Sequence, residues 1–343
     1  MKTYKYYIKE ANAERLKKMQ PEGLNNIFVH AVQSNNPDKV KELIDAGFNV
    51  NTELQDKLSP LMFAIEYNDI NTCKILLDNG ADINYISYDR DMLYFCNNVK
   101  ILNMLIRRGG FKPKNLDKKL IKSVEYEDDG KLLLKLLELG ADINYVENSD
   151  TVLLIACRDI EYSIQKIKYL IKYGANVNVK DRNGNSPLYY SVNKNKIRSV
   201  KDLLDAGAVV TKENIIDALR MQTNEKILGY LLDKKTFDIN PAINKAKHMT
   251  FSFIGIDKFM LLLEHDLDLS LVIKDIARSS LLLLPTTPII GKINKIRYKK
   301  IIKIHEIIIN EHPEFIGHIK EFLSPETKEK YDDLLDSEEL GLL

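Results

Sequence analysis

Gly80-Ala-Asp-Ile-Asn84 returns as Gly140-Ala-Asp-Ile-Asn144 and, with two mild exchanges, as Gly174-Ala-Asn-Val-Asn178. Looser copies stand at Gly47-Phe-Asn-Val-Asn51, Gly207-Ala-Val-Val-Thr211 and Gly109-Gly-Phe-Lys-Pro113, and Phe237-Asp-Ile-Asn240 keeps only the tail. The glycines at 47, 80, 109, 140, 174 and 207 step by 33, 29, 31, 34 and 33 residues. Self-similarity at such a period marks an array of supersecondary units, each burying apolar surface only against its neighbours. Upstream of the glycines an apolar segment runs in constant phase: Val40–Ile44, Cys73–Leu77, Leu133–Leu137, Ile167–Ile171 and Val200–Leu204. The spacing predicts a helix ended by glycine in each unit.

A second, shorter helix is predicted ahead of it. Ser59-Pro60-Leu61 and Ser186-Pro187-Leu188 place a hydroxyl at the N-cap and proline at the first helical position. Asp181-Arg-Asn-Gly184 reads as a tight turn in which glycine supplies positive φ. A unit of turn, helix, helix and glycine-ended loop at about 33 residues resembles the ankyrin-repeat family. The resemblance covers roughly 24–270. It implies an all-α fold, a right-handed α-solenoid of about eight helix-turn-helix repeats starting near 24, 55, 86, 115, 149, 181, 212 and 241. Segments 1–23 and 271–343 are left as a capping helix and a helical cap with an acidic tail. The family's threonine at the cap is serine here, and its following histidine is Met62 or Tyr189. Segments 85–113 and 114–144 lack the proline and the turn motif, and a two-residue insertion is expected near Glu161–Ser163.

The composition suits a folded chain: 343 residues, 45% hydrophobic, 29% charged, with 15 glycines and 10 prolines. Disorder and a disulfide-dense scaffold are thereby excluded. The formal charge of +1 argues against a whole-chain affinity for nucleic acid or anionic membrane. Cys73, Cys96 and Cys157 are too far apart for a zinc motif and read as reduced, buried thiols. No segment approaches the ~20 apolar residues of a membrane span, and the first residues lack the apolar core of a signal peptide. A cytoplasmic location follows, in the producing cell or in a host cell.

Chemistry-bearing motifs are missing: no glycine-rich phosphate loop, no nucleophile elbow and no paired zinc-binding histidines on a helix. His305, His312 and His318 straddle Pro313, so one helix face does not present them together. No enzyme, metal or other cofactor is expected. One charged feature offers a different activity. Lys292, Lys295, Arg297, Lys299, Lys300 and Lys303 interleave with isoleucines, as in a helix lying on phosphates or anionic lipid. The same pattern fits a capping helix with solvated lysines.

The resemblance implies that partners meet a concave face made of turn tips and the exposed sides of the first helices. The positions it assigns there are Tyr67, Tyr85, Tyr88, Arg90, Phe95, Tyr126, Tyr145, Arg158, Arg182, Asn183, Asn185 and Lys194. Tyrosine and arginine recur among interface hot spots because they combine contact area with a polar handle. Tyr85 and Tyr145, directly after the repeated asparagine, have an alternative place packed between neighbouring turns. The expected function is non-enzymatic binding of a protein partner, as adaptor, inhibitor or effector, with a host protein among the possible partners and no small-molecule substrate.

Overall fold

The computed structural model describes residues 14–126, 130–158, 164–220, 222–244 and 256–271, together with residue 316. The predicted insertion at Glu161–Ser163, the basic run from Lys292 to Lys303, the three C-terminal histidines and the acidic tail lie outside them, as do Lys5 and Lys9 of the expected N-terminal cap. Among the described residues regular structure is helical, apart from isolated antiparallel bridges between Ser87 and Arg90 and between Glu147 and Asp150. The chain divides into two compact units, Met1–Ile155 with Lys172–Gly174, and Ala156–Ile171 with Ala175–Leu343.

The first unit holds α1 (Pro21–Gln33), α2 (Pro37–Asp45), α3 (Pro60–Glu66), α4 (Ile70–Asp78), α5 (Met92–Phe95), α6 (Val99–Arg107), α7 (Leu116–Lys122) and α8 (Lys131–Glu138). They form two layers. α1, α3, α5 and α7 pack in succession, and α2, α4, α6 and α8 pack likewise beside them. Leu43, Leu76, Leu105 and Leu136 take the same phase on successive second-layer helices and are fully buried. Burial at that depth contributes about 1.5–3 kcal/mol per leucine. α9 (Val152–Arg158) and α10 (Ile164–Lys172) follow, each with residues in both units. The second unit continues with α11 (Pro187–Asn193), α12 (Ile197–Asp205), α13 (Lys212–Ala218), α14 (Glu225–Lys234) and α15 (Ile256–Leu263). Here α11 packs on α13, α12 on α14, and α14 on α15.

The predicted caps form. The Ser59 hydroxyl accepts from the Met62 amide and the Ser186 hydroxyl from the Tyr189 amide, both at 3.2 Å, with Pro60 and Pro187 opening their helices. At the other end, Gly80 sits at φ +83°, and the Ala81 amide reaches back to the Leu76 carbonyl at 3.0 Å. That six-to-one bond, beside a 3.3 Å bond from the Gly80 amide to the Leu77 carbonyl, closes the helix and explains the Gly-Ala pair.

The asparagine ending each motif links one repeat to the next. Asn51 donates its side-chain amide to the Gly80 carbonyl at 3.1 Å and accepts from the Asp82 amide at 2.8 Å. Asn178 does the same with Gly207 and Val209, at 3.0 and 2.8 Å, and Asn240 with Asp266 and Asp268, at 3.1 and 2.8 Å. Asn84 bonds the Gly110 carbonyl and the Lys112 amide, at 2.9 and 3.0 Å. Gly110, one residue beyond the glycine read from the sequence, is therefore the true counterpart of Gly80. The physical reason is a doubled glycine: Gly109 takes φ +74° to end α6, and Gly110 takes φ +73° to present its carbonyl.

A turn tip also forms where the sequence motif is missing. Ser87 and Arg90 exchange two backbone hydrogen bonds, at 2.9 and 2.8 Å, around Tyr88 and Asp89 at φ +47° and +66°. Asn148 and Ser149 repeat the conformation at φ +55° and +70°. Two successive positive φ angles define the hairpin turn whose twist matches its flanks, and asparagine or aspartate tolerates them without glycine. Tyr88 does not, and is held there against its steric preference.

Candidate partner-binding surface

In the first unit, the turn tips and the first-layer helices enclose two open clefts. One, of about 320 Å³, lies among α1, α3 and the 54–58 turn, and is lined by Val29, Gln33, Leu54, Phe63, Glu66 and Tyr67 among others. Tyr67 is 47% exposed, meets the Phe63 ring at a tilt with centroids 4.8 Å apart, and accepts a 3.2 Å hydrogen bond from Gln33. The second cleft, of about 290 Å³, lies between the Tyr88–Arg90 tip and α7 and is walled by Tyr94, Asn115, Lys118, Lys119, Lys122 and Glu147.

Among the described residues Tyr88 is the most exposed large apolar side chain, at 66%, with the Lys57 ammonium 5.2 Å from its ring centre. Arg90 and Lys122 each place their charge 4.7 Å from the Tyr94 ring. Lys119 is buried and donates to the Tyr94 carbonyl at 3.0 Å and the Asn97 side-chain oxygen at 2.7 Å. Burial, with a smaller push from the Lys122 charge, pulls its pKa down to about 8, against opposing pulls from Cys96 and Asp91. Its ammonium also sits 5.2 Å from the half-buried Tyr126 ring, whose hydroxyl pKa is raised by burial and by Glu125.

The predicted surface is thus partly brought together. Tyr67, Tyr88 and Arg90 are exposed on it, and Tyr126 is half-buried beside it. Phe95 must be withdrawn: it is 7% exposed and meets Tyr94 edge-on at 5.1 Å, so the core holds it and Tyr94 takes its place outside. Tyr85 is half-buried and reaches the Glu53 carboxylate of the preceding turn at 3.3 Å, the placement between turns that the sequence left open. Tyr145 is half-buried in the corresponding position.

In the second unit, Arg182, Asn183 and Lys194 are exposed, while Arg158 and Asn185 are half-buried. The amides of Asn183 and Asn185 both donate to one Asp181 carboxylate oxygen, at 2.8 and 2.9 Å, and Gly184 takes φ +81°. The Tyr190 hydroxyl donates to the other oxygen of Asp181. Burial works against the Asp181 charge, but the Tyr190 bond, the two amides and Arg158 hold its pKa below the usual carboxylate value. Tyr190 therefore ties the turn down from within α11, where Tyr189 occupies the family's histidine position. Sequence reading missed this tether, together with Tyr94, Lys119 and the asparagine links.

Paired helices in two layers, glycine-ended second helices and projecting turns linked by asparagine define a helical repeat protein whose exposed chemistry lies on turns and first helices. The family model described as ankyrin repeats in three copies matches residues 5–117 and again 120–214, and the chain belongs to the ankyrin-repeat family. A Fowlpox virus (strain NVSL) protein named as an ankyrin repeat protein, FPV232, is 27% identical over 198 residues, covering 54% of this chain and 40% of the relative. One from Rickettsia felis is 30% identical over 193 residues, 52% of this chain and 49% of the relative. The chain thus spans about half or less of these relatives' length. The ankyrin repeat domain of human ASB11 superposes with a TM-score of 0.51 at 20% identity, covering 62% of this chain and 98% of that one, a likeness of fold. Among the described residues no helix is long and apolar enough to cross a membrane.

Proposed function

We propose that the chain is a non-enzymatic binding module whose first unit receives a protein partner on its turn tips and first-layer helices. Ankyrin repeats generally serve as protein-interaction scaffolds, and the chain would act through this face as an adaptor, inhibitor or effector. The observation that carries it is the concentration of exposed Tyr67, Tyr88, Tyr94 and Arg90 around two clefts on one layer. Such side chains offer large contact area at little ordering cost, and a preformed surface loses less entropy on binding than a mobile one. The strained Tyr88 backbone supports the reading, since backbone strain gathers at functional positions.

Site-specific photo-cross-linking tests it. A photoreactive phenylalanine replaces Tyr67 or Tyr88 in the full chain, and Lys74, exposed on α4, serves as the position on the other layer. Adducts with one protein from Tyr67 and Tyr88, and none from Lys74, are expected. Adducts from Lys74 alone would place binding on the second-layer helices and end this reading.

A further inference from the structure

The cleft between the Tyr88–Arg90 tip and α7 has a chemistry of its own. Arg90, Lys118, Lys119 and Lys122 line it, against Asp89 and Glu147. Arg90, Lys118 and Lys122 are exposed, and among the described residues none of them forms an ion pair. Because Arg90 and Lys122 both sit 4.7 Å from the Tyr94 ring, they lie no more than about twice that distance apart. With Lys118 and Lys119 on the same cleft, these cations outnumber the two carboxylates and give the cleft a potential that favours an anionic group. Lys119, anchored on the Tyr94 carbonyl and Asn97, fixes the aromatic wall and adds its charge behind it.

We infer that this cleft takes the carboxylate side chains of an acidic peptide segment in a protein partner. The inference deepens the protein-binding reading and rests on it. A volume of about 290 Å³ stands at the lower limit of small-molecule pockets and suits one or two side chains of a longer segment. Arg90, with its guanidinium over Tyr94, keeps its N–H edge for a carboxylate in the paired geometry that arginine favours. The lining also selects a peptide over a phosphate or a nucleic-acid backbone. Asp89 and Glu147 can accept hydrogen bonds, which a peptide's N–H groups supply and a fully ionised phosphate does not. Tyr88 and Tyr94 add apolar walls for the aliphatic stems of glutamate or for a neighbouring apolar residue.

The test selects a displayed library of random 12-residue peptides on the full chain. Retained sequences are then titrated as fluorescein-labelled peptides by fluorescence anisotropy. Enrichment of sequences with two or more Asp or Glu is expected. Replacing those acids by Asn or Gln, or reversing the cleft with Arg90→Glu/Lys122→Glu, should weaken binding about tenfold or more, while Lys74→Glu on the second layer should not change it. Lys118→Glu, measured separately, guards against a fold defect in the double variant, and thermal melting of each variant checks the fold. Retained peptides without acidic enrichment, acidic peptides indifferent to both charge reversals, or no retained peptide would each overturn the inference. Displacement of a bound peptide by inorganic phosphate at lower concentration than by the unlabelled peptide would reassign the cleft to phosphate and overturn it as well. Cross-links from Tyr67 and Tyr88 that survive the charge reversals would leave the protein-binding reading standing without this inference; cross-links from Lys74 alone would remove both.

Discussion

Asn84 holds two backbone groups of the following repeat, the Gly110 carbonyl and the Lys112 amide, with one side chain. Asn84→Ala leaves both without that partner and should cost about 1–3 kcal/mol in urea denaturation. Tyr88 carries the opposite balance. Its positive φ costs a non-glycine residue about 1–2 kcal/mol, more than an exposed cation–π contact with Lys57 returns. Tyr88→Asn should therefore raise stability by up to ~1 kcal/mol while weakening the partner, a trade that thermal melting and the cross-linking yield would show together. Lys119 predicts a pH dependence. Its folded pKa of about 8 lies below the unfolded value, so the unfolded chain binds more protons between the two and stability rises with pH there. The wild type should gain on Lys119→Met by more than about 1 kcal/mol between pH 8 and pH 10.5, the other titrating groups being common to both. A constant difference across that range would show that Lys119 keeps its proton in the fold.

At the scale of the element, the cap signals were legible because they act within one turn. A serine, a proline and the next apolar residue settle where α3 and α11 begin, whatever packs on them. Ser59→Ala and Ser186→Ala should each cost about 1 kcal/mol, measured by denaturation. Leu76→Ala in α4 and Leu203→Ala in α12, both fully buried, should cost about 2–5 kcal/mol, against under about 1 kcal/mol for the half-exposed Tyr67→Ala. An equal loss for Tyr67 would mean that its contact with Phe63, and not the partner, explains its presence. The face of α5 was not legible. Met92–Phe95 is a single turn, too short for periodicity to separate Phe95 from Tyr94, and the choice falls to the neighbouring helix. Cutting α5 off at Phe95 leaves the Tyr94 carbonyl without a helical partner. Lys119 of α7 fills that place, and no pattern within Leu116-Asp-Lys-Lys-Leu-Ile-Lys122 distinguishes it from Lys118.

For the whole molecule, the three thiols report on opening. Burial pushes Cys96 up to about 11 and Cys157 up to about 12, and raises Cys73 as well, so none is a ready nucleophile in the folded chain. A disulfide reagent at pH 8 should label them only as their surroundings open. Cys73 and Cys96, in the first unit, should react together, and Cys157, in the second, at its own rate. One shared rate for all three would mean that the described repeats open as a single body.

What the sequence determined by itself was the repeat: its period, its two helices, its caps and the Gly-Ala-Asp-Ile-Asn loop, since each depends on residues within a few positions of one another. The class of protein follows from these alone. The tertiary structure decided what those local rules leave free. It moved the counterpart of Gly80 from Gly109 to Gly110, because the asparagine of the previous repeat selects which carbonyl it meets. It drew a tip from Tyr88 and Asp89, where no turn motif is written, because the flanks must close. It turned Phe95 inward and gathered Arg90, Lys118, Lys119 and Lys122, from two successive repeats, around one tyrosine-walled cleft. Side chains from separate repeats meet only through packing, and a pattern read along one strand of sequence carries no account of what its neighbour places opposite.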